Sequence, residues 1–330
     1  MPSATSPSAA SILKRVTPIA APHLLSDTDL SPDELRALLR LAIEVKRSPD
    51  DYRQALAGRY IALLFEKPSL RTRMTFELAI KQLGGDAIFQ DHRDGRIGER
   101  EPARDMARNL ERWVQAIVAR TFEQKTIEDL AHWSSVPVIN ALSGKFHPCQ
   151  ALADFQTLAE KFGELQGVKM AFVGDGNNVC HSLMLCASRL GVSISVATPR
   201  GYEPDSVIIA KAGEFAQETG AEVVITNDVN KAVKGVSAIY TDMWTSMGWD
   251  GETQQRRIAF ATYQVTGELM ARAAPGAVFM HCLPALRGEE VTDAVMESEA
   301  SVVFDQAENR LHAQKALLLM MIGARGEEGG

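Results

Sequence analysis

The chain has 330 residues, 45% of them hydrophobic and 23% charged, a length that suits two domains and a composition that suits a globular fold. Its formal net charge of -7 argues against nucleic acid or an anionic membrane surface as a general partner. No run approaches ~18 consecutive apolar residues, so no transmembrane helix is expected; Cys149, Cys180, Cys186 and Cys282 form no C-x-x-C pair, so neither a zinc knuckle nor a disulfide framework is indicated and a reducing, cytoplasmic setting fits.

Residues 1–22 are rich in Ser, Ala and Pro and are expected to form a disordered tail; Lys14 and Arg15, its only basic residues, make a sparse case for an organelle transit peptide. Leu35, Leu38, Leu39 and Ala42 then recur at helical spacing in 30–46, with Ser31 as N-cap and Pro32, Asp33 and Glu34 in the first turn. Residues 60–65 are a short apolar run that reads as a buried strand, broken by Pro68. Ser69 caps the helix that follows, Phe76, Ala79, Ile80 and Leu83 lie on one of its faces, and Gly84-Gly85 stops it. At that helix start sit the hydroxyls of Ser69 and Thr72 and the guanidinium groups of Arg71 and Arg73. Free backbone N–H groups and the helix dipole favour an anion there, and arginine adds forked donors that match phosphate. A merely solvated turn fits poorly, because arginine at a helix start opposes the dipole unless an anion is present.

Further strands are predicted at 87–90, 116–119 and 136–140, helices at 103–113 and 126–133, and a mobile polar loop at 91–101. Phe146-His147-Pro148-Cys149-Gln150 opens a helix with Leu152, Phe155 and Leu158 on one face. The pattern restarts at Val168: strands at 170–173, 192–197, 222–226, 238–240, 277–280 and 301–304, helices at 181–190, 205–219 and 309–322, and a glycine-bearing turn at 174–178. Strands alternating with helices predict an α/β fold of two doubly wound domains, each a parallel sheet flanked by helices. The domains are expected at 23–155 and 156–308, with 309–330 a C-terminal helix packing back on the first.

In such sheets ligands bind beyond the carboxyl ends of the strands. Ser69 to Arg73, Arg120, His147 and Gln150, Asn177 and Asn178, Asp242, and His281 and Cys282 all fall there. Taken singly, each has a plainer reading: Arg120 in an ion pair, His147 as a cap, Asp242 and Ser246 as helix caps, Cys282 as a small buried hydrophobe. Gly174-Asp175-Gly176 could begin a dinucleotide fingerprint, but the third glycine is missing. Their joint occurrence at strand ends is the stronger signal.

Ser69-Leu70-Arg71-Thr72-Arg73, His147-Pro148-Cys149-Gln150, Asp242-Met243-Trp244-Thr245-Ser246-Met247-Gly248, His281-Cys282-Leu283-Pro284-Ala285 and Glu308-Asn309-Arg310, in this order, resemble the ornithine branch of the aspartate/ornithine carbamoyltransferase family, from about Pro22 to the C-terminus. The resemblance implies transfer of a carbamoyl group from carbamoyl phosphate to the δ-amine of L-ornithine, giving citrulline and phosphate for arginine biosynthesis, without metal or cofactor. It implies that Ser69, Leu70, Arg71, Thr72, Arg73, Arg96, Arg120, His147, Gln150, Cys282, Leu283 and Arg310 bind carbamoyl phosphate, with Arg120, His147, Cys282 and Arg310 acting in catalysis. Asn178, Asp242, Ser246 and Met247 would bind ornithine, and the chain would form a homotrimer or an assembly of trimers. Two departures stand out: Leu70 replaces a threonine common in the family's first motif, and Arg96 stands where many bacterial members have a glutamine that serves the neighbouring subunit's site. Competing expectations are an acceptor such as putrescine or N-acetylornithine, a catalytically silent paralogue, and a nicotinamide dehydrogenase.

Overall fold

The computed structural model describes Leu13 and residues 15–93, 95–245 and 250–323. The chain forms two compact units, one from residues up to 156 together with those from Asn309 onward, the other from Thr157 to Glu308.

The first unit is built on a four-stranded parallel sheet in the order β2-β1-β3-β4. Its strands are β1 (Tyr60–Phe65), β2 (Asp86–Asp91), β3 (Ala116–Arg120) and β4 (Val138–Leu142). Every residue of β3 and β4 is buried, as expected of strands covered on both faces, whereas β2 at the edge is largely exposed. Ala62, Leu64, Ile117 and Ala119 pack with Ile127 and Leu130 of the Gln124–His132 helix. The chain leaves β1 in one direction for β2 and in the other for β3 and β4, so the topological switch point lies between the carboxyl ends of β1 and β3.

The second unit carries a five-stranded parallel sheet in the order β7-β6-β5-β8-β9. These are β5 (Lys169–Val173), β6 (Ser193–Ala197), β7 (Val223–Thr226), β8 (Ala238–Thr241) and β9 (Val278–His281). Val173, Ile239, Phe279, Trp244 and Phe260 share its core. Here the switch point lies between the ends of β5 and β8, just before Gly174 and Asp242.

Four expectations change. Residues 16–22 are not a loose tail: Val16 and Ile19 are buried, and the Ile19 amide donates to the Met320 carbonyl at 3.2 Å. The expected strand at 301–304 is a single bridge between Ser301 and Phe279, after which the Val303–Leu318 helix begins. The Val302-Val303 pair mimics a strand, but the Val302 carbonyl accepts from the Gln306 amide at 2.9 Å, and Asp305 suits a first helical turn. Strand β4 starts two residues later than expected, because Pro137 has no N–H to give the ladder. The 91–101 loop is anchored: Ile97 is buried, its amide donates to Glu66 Oε1 at 3.0 Å, and Glu66 Oε2 accepts from the Phe122 amide at 2.8 Å. Short helices at Val229–Val233, Thr253–Phe260, Gly267–Met270 and Asp293–Met296 lie where no element was read. No helix among the described residues is long and apolar enough to cross a membrane.

Candidate active site

In the first unit the turn after β1 delivers Ser69 as N-cap of the Leu70–Gln82 helix, its hydroxyl accepting from the Thr72 amide at 3.2 Å. Thr72 is buried and is the meeting point of the cluster. Its Oγ1 receives Arg310 Nη2 at 3.0 Å and Arg120 Nη1 at 3.5 Å. Arg310 Nη1 also donates to Gln150 Oε1, and Gln150 Nε2 to Asp154 Oδ1 at 2.7 Å, so the Pro148–Phe162 helix holds the guanidinium in place. His147, immediately before that helix, is buried; burial first, then the charges of Arg310 and Arg120, hold its imidazole well below the usual histidine range. The ring is therefore neutral at physiological pH. Two guanidinium groups, a neutral imidazole and an open helix N-terminus together favour a small dianion.

Some residues of the predicted set stand apart from this cluster. Arg73 is ion-paired with Glu77 at 2.8 Å and lies 3.7 Å from the centre of the Phe89 ring, because its helical position turns it along the outer face. Leu70 is 73% exposed, leaving its amide at the helix start as its contribution. Arg96 lies over the Phe122 ring of its own chain at 4.3 Å. Arg71 is half-buried on the first helical turn. Sequence reading passed over Lys67, which lies 4.5 Å from the same Phe122 ring; a lysine closing an apolar strand before a proline was the available signal.

In the second unit Asn177 caps the Asn178–Leu190 helix and donates from Nδ2 to Asp242 Oδ2 at 2.8 Å. Asp242 Oδ1 accepts from the Met243 amide at 2.8 Å and from the Cys282 thiol at 3.0 Å. Of the two asparagines, Asn177 thus orients the carboxylate, and Asn178 opens the helix. Leu283 has φ +59, in the left-handed region, and its amide donates to His281 Nδ1 at 2.9 Å. That bond assigns the ring proton to Nε2, which faces Glu290 Oε1 at 3.1 Å. The Asp242, His281 and Cys282 donor atoms lie within 4.8 Å of one another, and hydrogen bonds engage each. Arg256, also unread in the sequence, joins the two ends of the switch point: Nη1 reaches Asp175 Oδ2 at 2.8 Å and the Trp244 carbonyl at 2.9 Å, and Nε reaches Glu252 at 3.0 Å. Ser246 and Met247 lie outside the described residues.

Residues 22–160 match the carbamoyl-P binding domain of aspartate/ornithine carbamoyltransferase, and residues 166–321 match its Asp/Orn binding domain. The chain belongs to the aspartate/ornithine carbamoyltransferase family. Within that family it is 50% identical over 299 residues to the ornithine carbamoyltransferase of Shewanella oneidensis, covering 91% of this chain and 99% of that one. It is 48% identical over 310 residues to the Thermococcus kodakarensis ornithine carbamoyltransferase, covering 93% and 98%. Among solved structures, the Pyrococcus furiosus ornithine carbamoyltransferase aligns with a TM-score of 0.90 at 47% identity over 93% of this chain and 99% of that one. These carbamoyltransferases share the two parallel-sheet units described above, and the gap between the two matched domains, from 160 to 166, falls just after the Thr157 division.

Proposed function

We propose that this chain is an ornithine carbamoyltransferase that moves the carbamoyl group of carbamoyl phosphate to the δ-amine of L-ornithine, releasing citrulline and phosphate. The observation that carries this reading is the convergence of Arg120 and Arg310 on Thr72, in the first turn of the helix that follows β1, in a chain about 50% identical to named ornithine carbamoyltransferases over nearly its whole length. Ser69, Arg71, Thr72 and the amides of the first helical turn hold the phosphate. Arg120, Arg310 and the neutral His147 face the carbamoyl group, and Gln150 fixes Arg310. As the amine attacks, negative charge grows on the carbamoyl oxygen; guanidinium and imidazole donors already in place stabilise it without reorganisation. Phosphate leaves into the same cationic cradle. In the second unit Asp242, oriented by Asn177, neutralises the α-ammonium of ornithine, with Asn178, Ser246 and Met247 contributing to the amino-acid end. Cys282, whose thiol donates to Asp242, flanks the amine's approach, and Leu283 stands beside it.

Free ornithine carries a δ-ammonium with a lysine-like pKa near ~10.4, while only the neutral amine attacks. The rate at low ornithine therefore rises with pH above neutrality, and a flat profile from mildly acidic to alkaline pH contradicts this mechanism. The direct assay offers carbamoyl phosphate with L-ornithine, putrescine, N-acetylornithine and L-aspartate in parallel. Citrulline as the dominant product supports the assignment; a preference for another amine overturns the reading of the Asp242 loop and leaves the phosphate cradle intact.

We also propose a homotrimer, or an assembly of trimers. Leu70, Met74 and Leu78 form an exposed apolar stripe along one helix, beside exposed Ile88 on edge strand β2, and a second copy of this chain is the natural cover for it. Four free thiols fit a cytoplasmic setting and arginine synthesis there.

A further inference from the structure

Lys67 carries chemistry that the transfer reaction leaves unused. It follows β1, two positions before the Ser69 cap, and lines a cavity of about 340 Å³ with Ser69, Leu70 and Arg73. It is only 8% exposed, and a lysine that buried ordinarily has a carboxylate partner. Among the described residues, Lys67 Nζ makes no hydrogen bond and no ion pair; its contact is the Phe122 ring at 4.5 Å. Glu66, next to it in the chain, uses its two oxygens on the Ile97 and Phe122 amides. Arg96 lies over the same ring at 4.3 Å. The amine thus lies at the proposed phosphate turn with no carboxylate in hydrogen-bond or ion-pair contact among the described residues, although Glu77 and Asp91 also line the cavity.

We propose that Lys67 is a self-carbamoylation site, its amine taking the carbamoyl group of carbamoyl phosphate bound at the adjoining turn when ornithine is absent. The Nζ lone pair attacks the carbamoyl carbon, the carbon–oxygen bond to phosphate breaks, and phosphate departs with that electron pair. The Nζ proton passes to the departing phosphate, leaving a neutral urea on the lysine. No oxidant or further reactant is required. The inference rests on the reading of the cradle as a carbamoyl phosphate site.

The electrostatics supply the nucleophile. Desolvation first, then the Arg120 charge, lower the Lys67 ammonium to about 8; Arg96 adds to this, and Glu123 and Glu66 oppose it. Near pH 7.5 its neutral fraction is roughly two hundred times that of an ordinary lysine. Lys315 separates basicity from position. It is more deeply buried and also lowered by burial, but it lies on the last helix and lines neither this cavity nor the turn, so it stays unmodified. Modification removes a positive charge from the rim of the cradle and weakens carbamoyl phosphate binding. The site then acts as a brake that carbamoyl phosphate applies when its acceptor is missing.

The test begins by confirming citrulline formation with the purified enzyme. The same preparation is incubated at pH 8 with carbamoyl phosphate and no ornithine, and carbamoylation at every lysine is followed by peptide mass spectrometry. Parallel arms contain cyanate at the concentration carbamoyl phosphate releases, and carbamoyl phosphate with excess inorganic phosphate. Lys67 is expected to react at least about tenfold faster than surface lysines, with Lys315 silent, phosphate protecting, and cyanate alone far less effective. Wild-type activity falls in step with modification, while Lys67→Arg keeps its own starting activity through the same incubation. Citrulline formation with Lys67 no more reactive than surface lysines overturns the inference and leaves the transferase standing. Equal labelling by matched cyanate overturns direct transfer. Failure to form citrulline at all overturns the functional reading instead.

Discussion

At His147, burial and charge act in the same direction. Desolvation and the two guanidinium groups both disfavour the imidazolium, so the folded state holds the ring neutral at pH values where the unfolded chain, near pKa ~6.5, binds a proton. A histidine lowered on folding lowers stability as pH falls below its unfolded pKa, by at most about 1.4 kcal/mol per pH unit for one proton. His147→Asn removes that proton uptake, so its melting temperature should fall less steeply than wild type between pH 6.5 and 5; parallel slopes in a pH series of thermal melts contradict the assignment. Leu70 offers the opposite case, a position where adding a group should help. Its side chain is largely exposed, and it opens the helix whose start is proposed to hold the phosphate. Leu70→Thr should lower KM for carbamoyl phosphate by roughly fivefold, the worth of about one hydrogen bond of 1 kcal/mol. An unchanged KM places the phosphate away from that amide. Residues of this kind were legible because local chemistry marked them: hydroxyls and arginines at a helix start, a histidine before a proline. Arg310 was legible only through its resemblance to a family, since Thr72 lies 238 residues away in sequence. Lys67 was missed because the apolar run read by hydrophobicity ends at Phe65, while burial continues through Glu66 and Lys67.

The element that organises the first unit is the turn from β1 into the Leu70–Gln82 helix, and its two duties separate by substitution. Ser69 satisfies the Thr72 amide as an N-cap and, in the proposed site, offers a hydroxyl to the phosphate. Ser69→Asp keeps the cap and favours the helix dipole, yet sets a carboxylate where the dianion is proposed to bind. Its melting temperature should match or exceed wild type while KM for carbamoyl phosphate rises by two orders of magnitude or more, the scale of about 3 kcal/mol. Ser69→Ala should lose about 1 kcal/mol of stability with a smaller rise in KM. Loss of stability in Ser69→Asp is the result that breaks this account. In the second unit the corresponding device is Arg256, buried between the Asp175 turn and the Trp244 loop. Arg256→Met leaves Asp175 uncompensated and should cost about 3–5 kcal/mol. It should raise KM for ornithine and not for carbamoyl phosphate, and Asp175→Asn added to it should recover stability without restoring ornithine affinity. Elements with strong periodicity, such as β1 and the helix beyond it, were read correctly because propensity, capping and stop signals agreed. The Val303–Leu318 helix was read six residues late because Val302 and Val303 favour a strand locally, and only the hydrogen bond from Gln306 to Val302 resolves the conflict.

At the scale of the molecule, both parallel sheets reverse direction once, and polar residues with no role in either core collect at those reversals. This much follows from strand order, which sequence alternation leaves undetermined: alternation says the strands are parallel, whereas the placement of β3 beside β1 puts the Arg120 end at the switch point, the candidate binding edge. What the unit does not bury is equally informative. Leu70, Met74 and Leu78 recur every fourth residue on the exposed side of their helix, with Ile88 45% exposed on the neighbouring edge strand and Trp113 67% exposed. A stripe at helical spacing is how a buried face is written, and among the described residues no element covers it. In the proposed trimer another copy does. The native protein should sediment at three times the 36.0 kDa chain, or a multiple of that mass. Met74→Asp with Leu78→Asp should shift it toward the mass of one chain. Both side chains are at least 40% exposed, so the double variant should retain its fold by circular dichroism even as its concentration-dependent melting temperature is lost. Wild-type sedimentation at 36.0 kDa over a wide concentration range, or a double variant that assembles unchanged, would assign the stripe to some other partner.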